Sequence, residues 1–178
     1  MKVSVGKMAG FCPGIVNAVT KTEKALDQKE TEKVYCLGEL THNKQVIDKL
    51  EAKGLVTIDN IEECKEQKQL IIRSHGVPKE IYENAEKMGL ELIDLTCPKV
   101  LKIHRLAEEH SKEGYYIFLI AEKNHPEIIG TYSFCGENKC IIQNKEEIDN
   151  AIETIKKSDI KKAYVITQTT FSMEKFDE

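Results

Sequence analysis

His42, His75 and His125 each stand where a short apolar run gives way to a helix-forming one, and Cys12 and Cys97 open two further helices. In open parallel α/β sheets, ligands bind beyond the carboxyl ends of the strands, where helix N-termini present unpaired N–H groups. Five polar strings of this chain fall at such places. THN (41–43) follows VYCLG, SHG (74–76) ends LIIRS, TCP (96–98) ends ELIDL, NHPE (124–127) follows IFLIA, and TQTT (167–170) ends AYVI. Each histidine adds N–H donors, or a positive charge, to a helix pole that already carries about +0.5 elementary charge. A doubly or triply charged phosphate ester is the natural guest. Singly, each histidine reads better as a cap or surface residue; the coincidence of three argues for a shared task.

Cys12 in GFCPG and Cys97 in TCP both precede a proline at a first helical position. A helix N-terminus favours the thiolate, the form that binds metal or attacks an electrophile. The two lie 85 positions apart, which excludes a local CxxC ribbon, so only the fold can bring them together. The bland alternative for each is a small buried hydrophobe. Glu127, two residues after His125, reads either as a first-turn capping acid or as a proton donor aimed at the bound ligand. Thr169 and Thr170 can orient a hydroxyl, although alone they are ordinary strand-end residues. His104 and His110 fall inside a helix and carry no site role.

These residues need elements to hold them. KVSV (2–5) reads as a strand, and a helix from about Gly14 to Gln28 carries Ile15, Ala18, Val19, Thr22, Ala25 and Leu26 on one face. Strands VYCLG (34–38), LVTI (55–58), LIIRS (70–74) and ELIDL (91–95) alternate with helices after His42 and from Pro78 to Met88. The pattern restarts at Pro98 with a helix, the strand YYIFLIA (115–121) and a helix from Pro126. Strand KCIIQ (139–143), a helix near Glu146–Lys156 and strand AYVIT (163–167) complete it, and the tail FSMEKFDE leaves no room for a return helix of useful length. Such alternation predicts an α/β fold, two similar αβ lobes with mainly parallel sheets flanked by helices. The expected division is 1–13 for the N-terminal strand and first cysteine loop, 14–97 for the first lobe and 98–178 for the second.

Composition narrows the classes. The 178 residues carry 26 Lys+Arg against 30 Asp+Glu, and aromatics are 6% with no tryptophan. That speaks against a nucleic-acid partner, whose footprint is basic with aromatic platforms. No apolar run approaches the ~18 residues of a membrane span, and MKVSVGKMAG lacks the features of a leader, so the expected compartment is the cytoplasm with no membrane partner. There the six cysteines are reduced, and those that matter are metal ligands or reactive thiols. Cys135 and Cys140 in FCGENKC match half a zinc knuckle, but no second pair stands nearby, and Cys36 and Cys64 attract no functional role. GxGxxG and GxxxxGK[ST] are both missing, which argues against a nucleotide cofactor.

GFCPGI, the THN histidine, SHGVP, TCPKVLKIH, NHPEIIGT and TQTT, in that order and spacing, resemble the 4-hydroxy-3-methylbut-2-enyl diphosphate reductases across essentially the whole chain. The resemblance implies three pseudo-equivalent αβ lobes around a [4Fe–4S] cluster held by three cysteines, two of them Cys12 and Cys97. It implies that His42, His75 and His125 grip the diphosphate, that Glu127 supplies the proton, and that Thr169 positions the substrate hydroxyl and relays that proton. It also implies a ferredoxin or flavodoxin as electron donor, and isopentenyl and dimethylallyl diphosphate as products. Pro13 stands where many relatives carry another small or apolar residue, which stiffens the turn. In the family a third lobe follows the threonine region and brings the third cysteine and a serine/asparagine cluster. The sequence given ends at Glu178, so the expectation is a two-lobed fragment with little activity alone.

Two other classes compete. One is a non-catalytic phosphate-binding or interaction module with structural cysteines; the other is a hydrolase using Cys12 or Cys97 as nucleophile, with a histidine as base.

Overall fold

A computed structural model describes residues 2–6, 9–28, 33–64 and 69–177, so Met1, residues 7–8, 29–32 and 65–68, and Glu178 lie outside the description. The elements are α1 (Pro13–Gln28), β1 (Val34–Leu37), α2 (Lys44–Glu51), β2 (Leu55–Ile58), β3 (Gln69–Ile72), α3 (Lys79–Lys87) and β4 (Glu91–Asp94). They continue as α4 (Pro98–Lys112), β5 (Tyr116–Ile120), α5 (Pro126–Phe134), β6 (Lys139–Ile142), α6 (Glu146–Lys156), β7 (Ala163–Thr167) and α7 (Met173–Asp177). The chain divides into two compact units, Met1–Ser74 with Leu92–Leu95, and His75–Glu91 with Thr96–Glu178.

In the first unit the strand order is β2-β1-β3-β4, with β1 parallel to both β2 and β3. Two-residue turns cannot join parallel neighbours, so helices make the crossovers. The apolar stripe of α1 (Ala18, Leu26) and that of α2 (Ile47, Leu50) bury against Val34, Cys36, Leu55 and Ile71. Such a run of small and β-branched side chains suits strands buried by packed helices. In the second unit the order is β6-β5-β7, all parallel, with β5 central and Ile120 level with both Ile142 and Thr167. Ala107, Ile117, Leu119, Cys135 and Ile166 form its core.

The expected α/β architecture of parallel sheets and flanking helices is what the fold shows. One element departs from expectation. KVSV (2–5) has alternating β-formers but forms no strand, with Val3 73% and Val5 81% exposed. Strand propensity measures fit to a paired, half-buried surface, and among the described residues this segment has neither. The three histidines also stand further out than strand ends, on loops after β1, β3 and β5. Among the described residues no helix is long and apolar enough to cross a membrane.

Burial of Cys36 in the centre of the first sheet pushes its thiol up to about 12, against a smaller opposing pull from Arg73. The unfolded thiol ionises near ~8.5, so between there and 12 the unfolded chain binds fewer protons than the folded one. Stability therefore falls as pH rises through that window, at up to about 1.4 kcal/mol per pH unit from this group. Urea midpoints measured at pH 7.5 and 10.5 should fall less in Cys36→Ala than in the unaltered chain.

Candidate anion and proton-donor site

The first unit carries two of the five poles. Cys12 is exposed, and its carbonyl accepts the Val16 N–H at 3.1 Å, so it stands at the entry to α1 with Pro13 as first helical residue. In THN the two flanking residues are spent on the turn. The Asn43 side chain caps α2 by accepting from Val46 N–H at 3.1 Å, and the buried Thr41 hydroxyl accepts from Asn43 N–H at 3.0 Å. His42, between them, is left on the exposed side.

The second unit gathers more. Cys97 is the N-cap of α4, half-buried, and its thiol makes no capping hydrogen bond. His125 is the N-cap of α5, and its Nδ1 accepts the Glu127 N–H at 3.2 Å. An Nδ1 that accepts carries no proton, so this bond assigns the neutral ring's hydrogen to Nε2. The His75 ring meets the His125 ring edge to face, with centroids 5.6 Å apart.

Glu127, two residues on from His125, is 2% exposed. Its Oε1 accepts the Thr169 backbone N–H at 2.7 Å, and its Oε2 is 2.5 Å from the Thr169 hydroxyl, which is on the exposed side. Buried carboxylates are costly without such donors. The second contact is a short O–H···O pair, in which either oxygen can carry the hydrogen. The geometry thus joins His75, His125, Glu127 and Thr169 in one unit, at the carboxyl end of β5 and β7.

Sequence reasoning passed over two residues here. Gln168, 6% exposed, accepts the Glu122 N–H with Oε1 at 3.2 Å and donates from Nε2 to Thr170 Oγ1 at 2.8 Å. It ties the loop that leads to His125 onto the loop that carries Thr169, and only its place inside TQTT hinted at this. The other is His104, buried at 3% exposure among the apolar positions of α4.

The remaining cysteines suit packing rather than ligation. Burial pushes the thiols of Cys64 and Cys140 up, and that of Cys135 to about 11, so at neutral pH they stay protonated. Cys12 and Cys97 are chemically fit thiolate donors, but among the described residues no group of three or more His, Cys, Asp or Glu is arranged to hold a metal. The described donors therefore fit a cysteine-ligated cluster in type but not in number.

Fold and site define a parallel α/β protein in which the N-terminus of α5 carries a buried acid and one of two paired imidazoles. The chain belongs to the LytB family, whose model, described as LytB protein, matches residues 3–178. It is 38% identical over 172 residues to a 4-hydroxy-3-methylbut-2-enyl diphosphate reductase of Caldanaerobacter subterraneus, covering 96% of this chain and 58% of the relative. It is 36% identical over 174 residues to the same-named protein of Clostridioides difficile, covering 98% and 61%. Among solved structures it matches the E-1-hydroxy-2-methyl-but-2-enyl-4-diphosphate reductase of Plasmodium falciparum, with a TM-score of 0.83 and 32% identity over 96% of this chain and 52% of that one. A second reductase, described as the terminal enzyme of the non-mevalonate pathway, matches with a TM-score of 0.82 and 33% identity, covering 98% and 60%. The chain spans little more than half the length of these relatives.

Proposed function

We propose that this chain supplies the diphosphate-binding and proton-donating part of a reductase acting on (E)-4-hydroxy-3-methylbut-2-enyl diphosphate, the last step of the methylerythritol phosphate route. The observation that carries this reading is the run of contacts from His75 to His125, from His125 to Glu127 and from Glu127 to Thr169. The His125 Nε2–H and the His75 ring offer donors to phosphate oxygens. Glu127, held by Thr169, delivers a proton through that hydroxyl to the allylic oxygen. The allylic C–O bond breaks, two electrons and two protons are consumed, and water leaves with isopentenyl or dimethylallyl diphosphate as product.

The resemblance of the motifs extends the diphosphate role to His42 and makes Cys12 and Cys97 two of three ligands of a [4Fe–4S] cluster. When bound, that group supplies single electrons, drawn from a ferredoxin or flavodoxin. The lack of a long apolar run supports a cytoplasmic enzyme, the restart of the strand–helix pattern at Pro98 supports a lobe boundary near Cys97, and the resemblance implies that these residues work together with a third lobe.

Inorganic pyrophosphate tests the anion site without the cluster. Added to the chain with ¹³C-labelled histidine, it should shift the His75 and His125 ring signals saturably, and 4-hydroxy-3-methylbut-2-enyl diphosphate should displace it. Ring signals that stay unmoved at millimolar pyrophosphate contradict the reading.

A further inference from the structure

His104 is a buried histidine that the proposed chemistry does not use. It sits on the inner face of α4 with Val100 and Ala107, and its ring lies nearly flat on Phe134, centroids 4.3 Å apart at 17°. The edge of the ring faces glycine on two sides. A methyl group added to Gly76 would stand 2.9 Å from His104 Cε1, closer than real side chains allow, and a tight 3.1 Å from Thr96 Cγ2. A methyl on Gly130 would stand in ordinary van der Waals contact, 3.5 Å from His104 Nε2 and 3.4 Å from the Val77 carbonyl carbon, so the ring also borders α5 there.

Those two glycines belong to the two segments that present the imidazole pair. Gly76, in the left-handed region at φ +72°, directly follows His75, and Gly130 lies one turn along α5 from His125 and Glu127. The same crossing is secured by a hydroxyl: Lys79 N–H donates to Ser133 Oγ at 2.8 Å, and Ser133 Oγ donates to the Gly130 carbonyl at 2.6 Å. A thin planar ring thus fills the slot between Phe134 and the two glycine backbones. A branched aliphatic side chain is thicker than a planar imidazole, and a six-membered ring is longer. Close-packed interiors pass such mismatches to the backbone instead of absorbing them.

Resting on the diphosphate reading above, we infer that His104 is a positioning residue, keyed between Gly76 and Gly130, that sets the spacing of the His75 and His125 rings. A residue that only fills the core would lower the melting temperature without moving those rings in the molecules that stay folded.

The test uses the whole chain with ¹³C-labelled histidine and no ligand. The unaltered protein should show a cross-peak between the His75 and His125 rings, and His104→Leu should weaken it at least threefold. In the same samples the dissociation constant for inorganic pyrophosphate should rise at least fivefold. If the leucine variant does not fold, His104→Phe, which keeps the stack on Phe134 but overfills the slot, takes its place with the same expectation. A folded variant that keeps both the cross-peak and the affinity within twofold overturns the inference. If the unaltered chain takes up no pyrophosphate, the diphosphate reading fails, and the ring cross-peak alone still decides the role of His104.

Discussion

Replacing Glu127 by glutamine in a protein of full family length that carries this sequence should lower turnover by about 10²- to 10⁴-fold, the range for loss of a positioned proton donor. Affinity for pyrophosphate should stay within about twofold, because an interaction made only in the transition state is the one removed. The reason lies in the two hydrogen bonds. Glutamine can still accept the Thr169 N–H with its carbonyl oxygen, and its amide group can donate to the Thr169 hydroxyl, so the loop keeps its place. What it cannot do is release a proton. Glu127→Ala should behave differently, since it removes the acceptor of the Thr169 N–H and empties the place of a side chain that is 2% exposed, so the melting temperature falls as well. Product formation under anaerobic reducing conditions, read beside the melting temperature, separates the two variants. Turnover in the glutamine variant equal to that of the unaltered protein would remove Glu127 from the chemistry.

The second large effect concerns His125, which holds two tasks on two nitrogens. Nδ1 caps α5 through the Glu127 N–H, which leaves the ring hydrogen on Nε2 as the donor that the proposed reading assigns to a ligand. Asparagine is among the best N-caps, so His125→Asn should keep the helix and lose only the outward donor. A hydrogen bond to a charged group contributes about 1.5–3 kcal/mol, which predicts a 10- to 100-fold weaker grip on pyrophosphate with little change in melting temperature. His125→Ala loses the cap as well, and should in addition lower stability by about 0.5–2 kcal/mol. Calorimetric titration and thermal unfolding of both variants check this; equal pyrophosphate binding by His125→Asn and the unaltered chain would defeat it.

Much of the fold was legible because its signals are local. LVTI and AYVIT are short apolar runs with abrupt polar ends, and the strands occupy those residues, while the helix expected near Glu146–Lys156 has those ends. Pro13, Pro98 and Pro126 each mark a helix start, as a residue with no N–H to lose should. KVSV misled because pairing is a long-range property that alternation does not report. The site divides in the same way. Residues at strand-to-helix junctions announce themselves by position, but the Glu127–Thr169 pair joins residues 42 apart, and nothing in either neighbourhood encodes the other. His104 carried a readable sign: a polar ring at a helical position whose neighbours, Val100 and Ala107, face the core.

Glu127 is tethered three ways: its N–H to His125, its carbonyl to the Thr131 hydroxyl at 2.8 Å, and its carboxylate to Thr169. An acid so held cannot swing between a loading and a delivering position. The moving part is then a single hydroxyl rotor on the exposed side of the pair, and exposed side chains reorient in picoseconds to nanoseconds. Under the proposed reading, the proton passes by rotation of that hydroxyl, with no movement of the acid that supplies it.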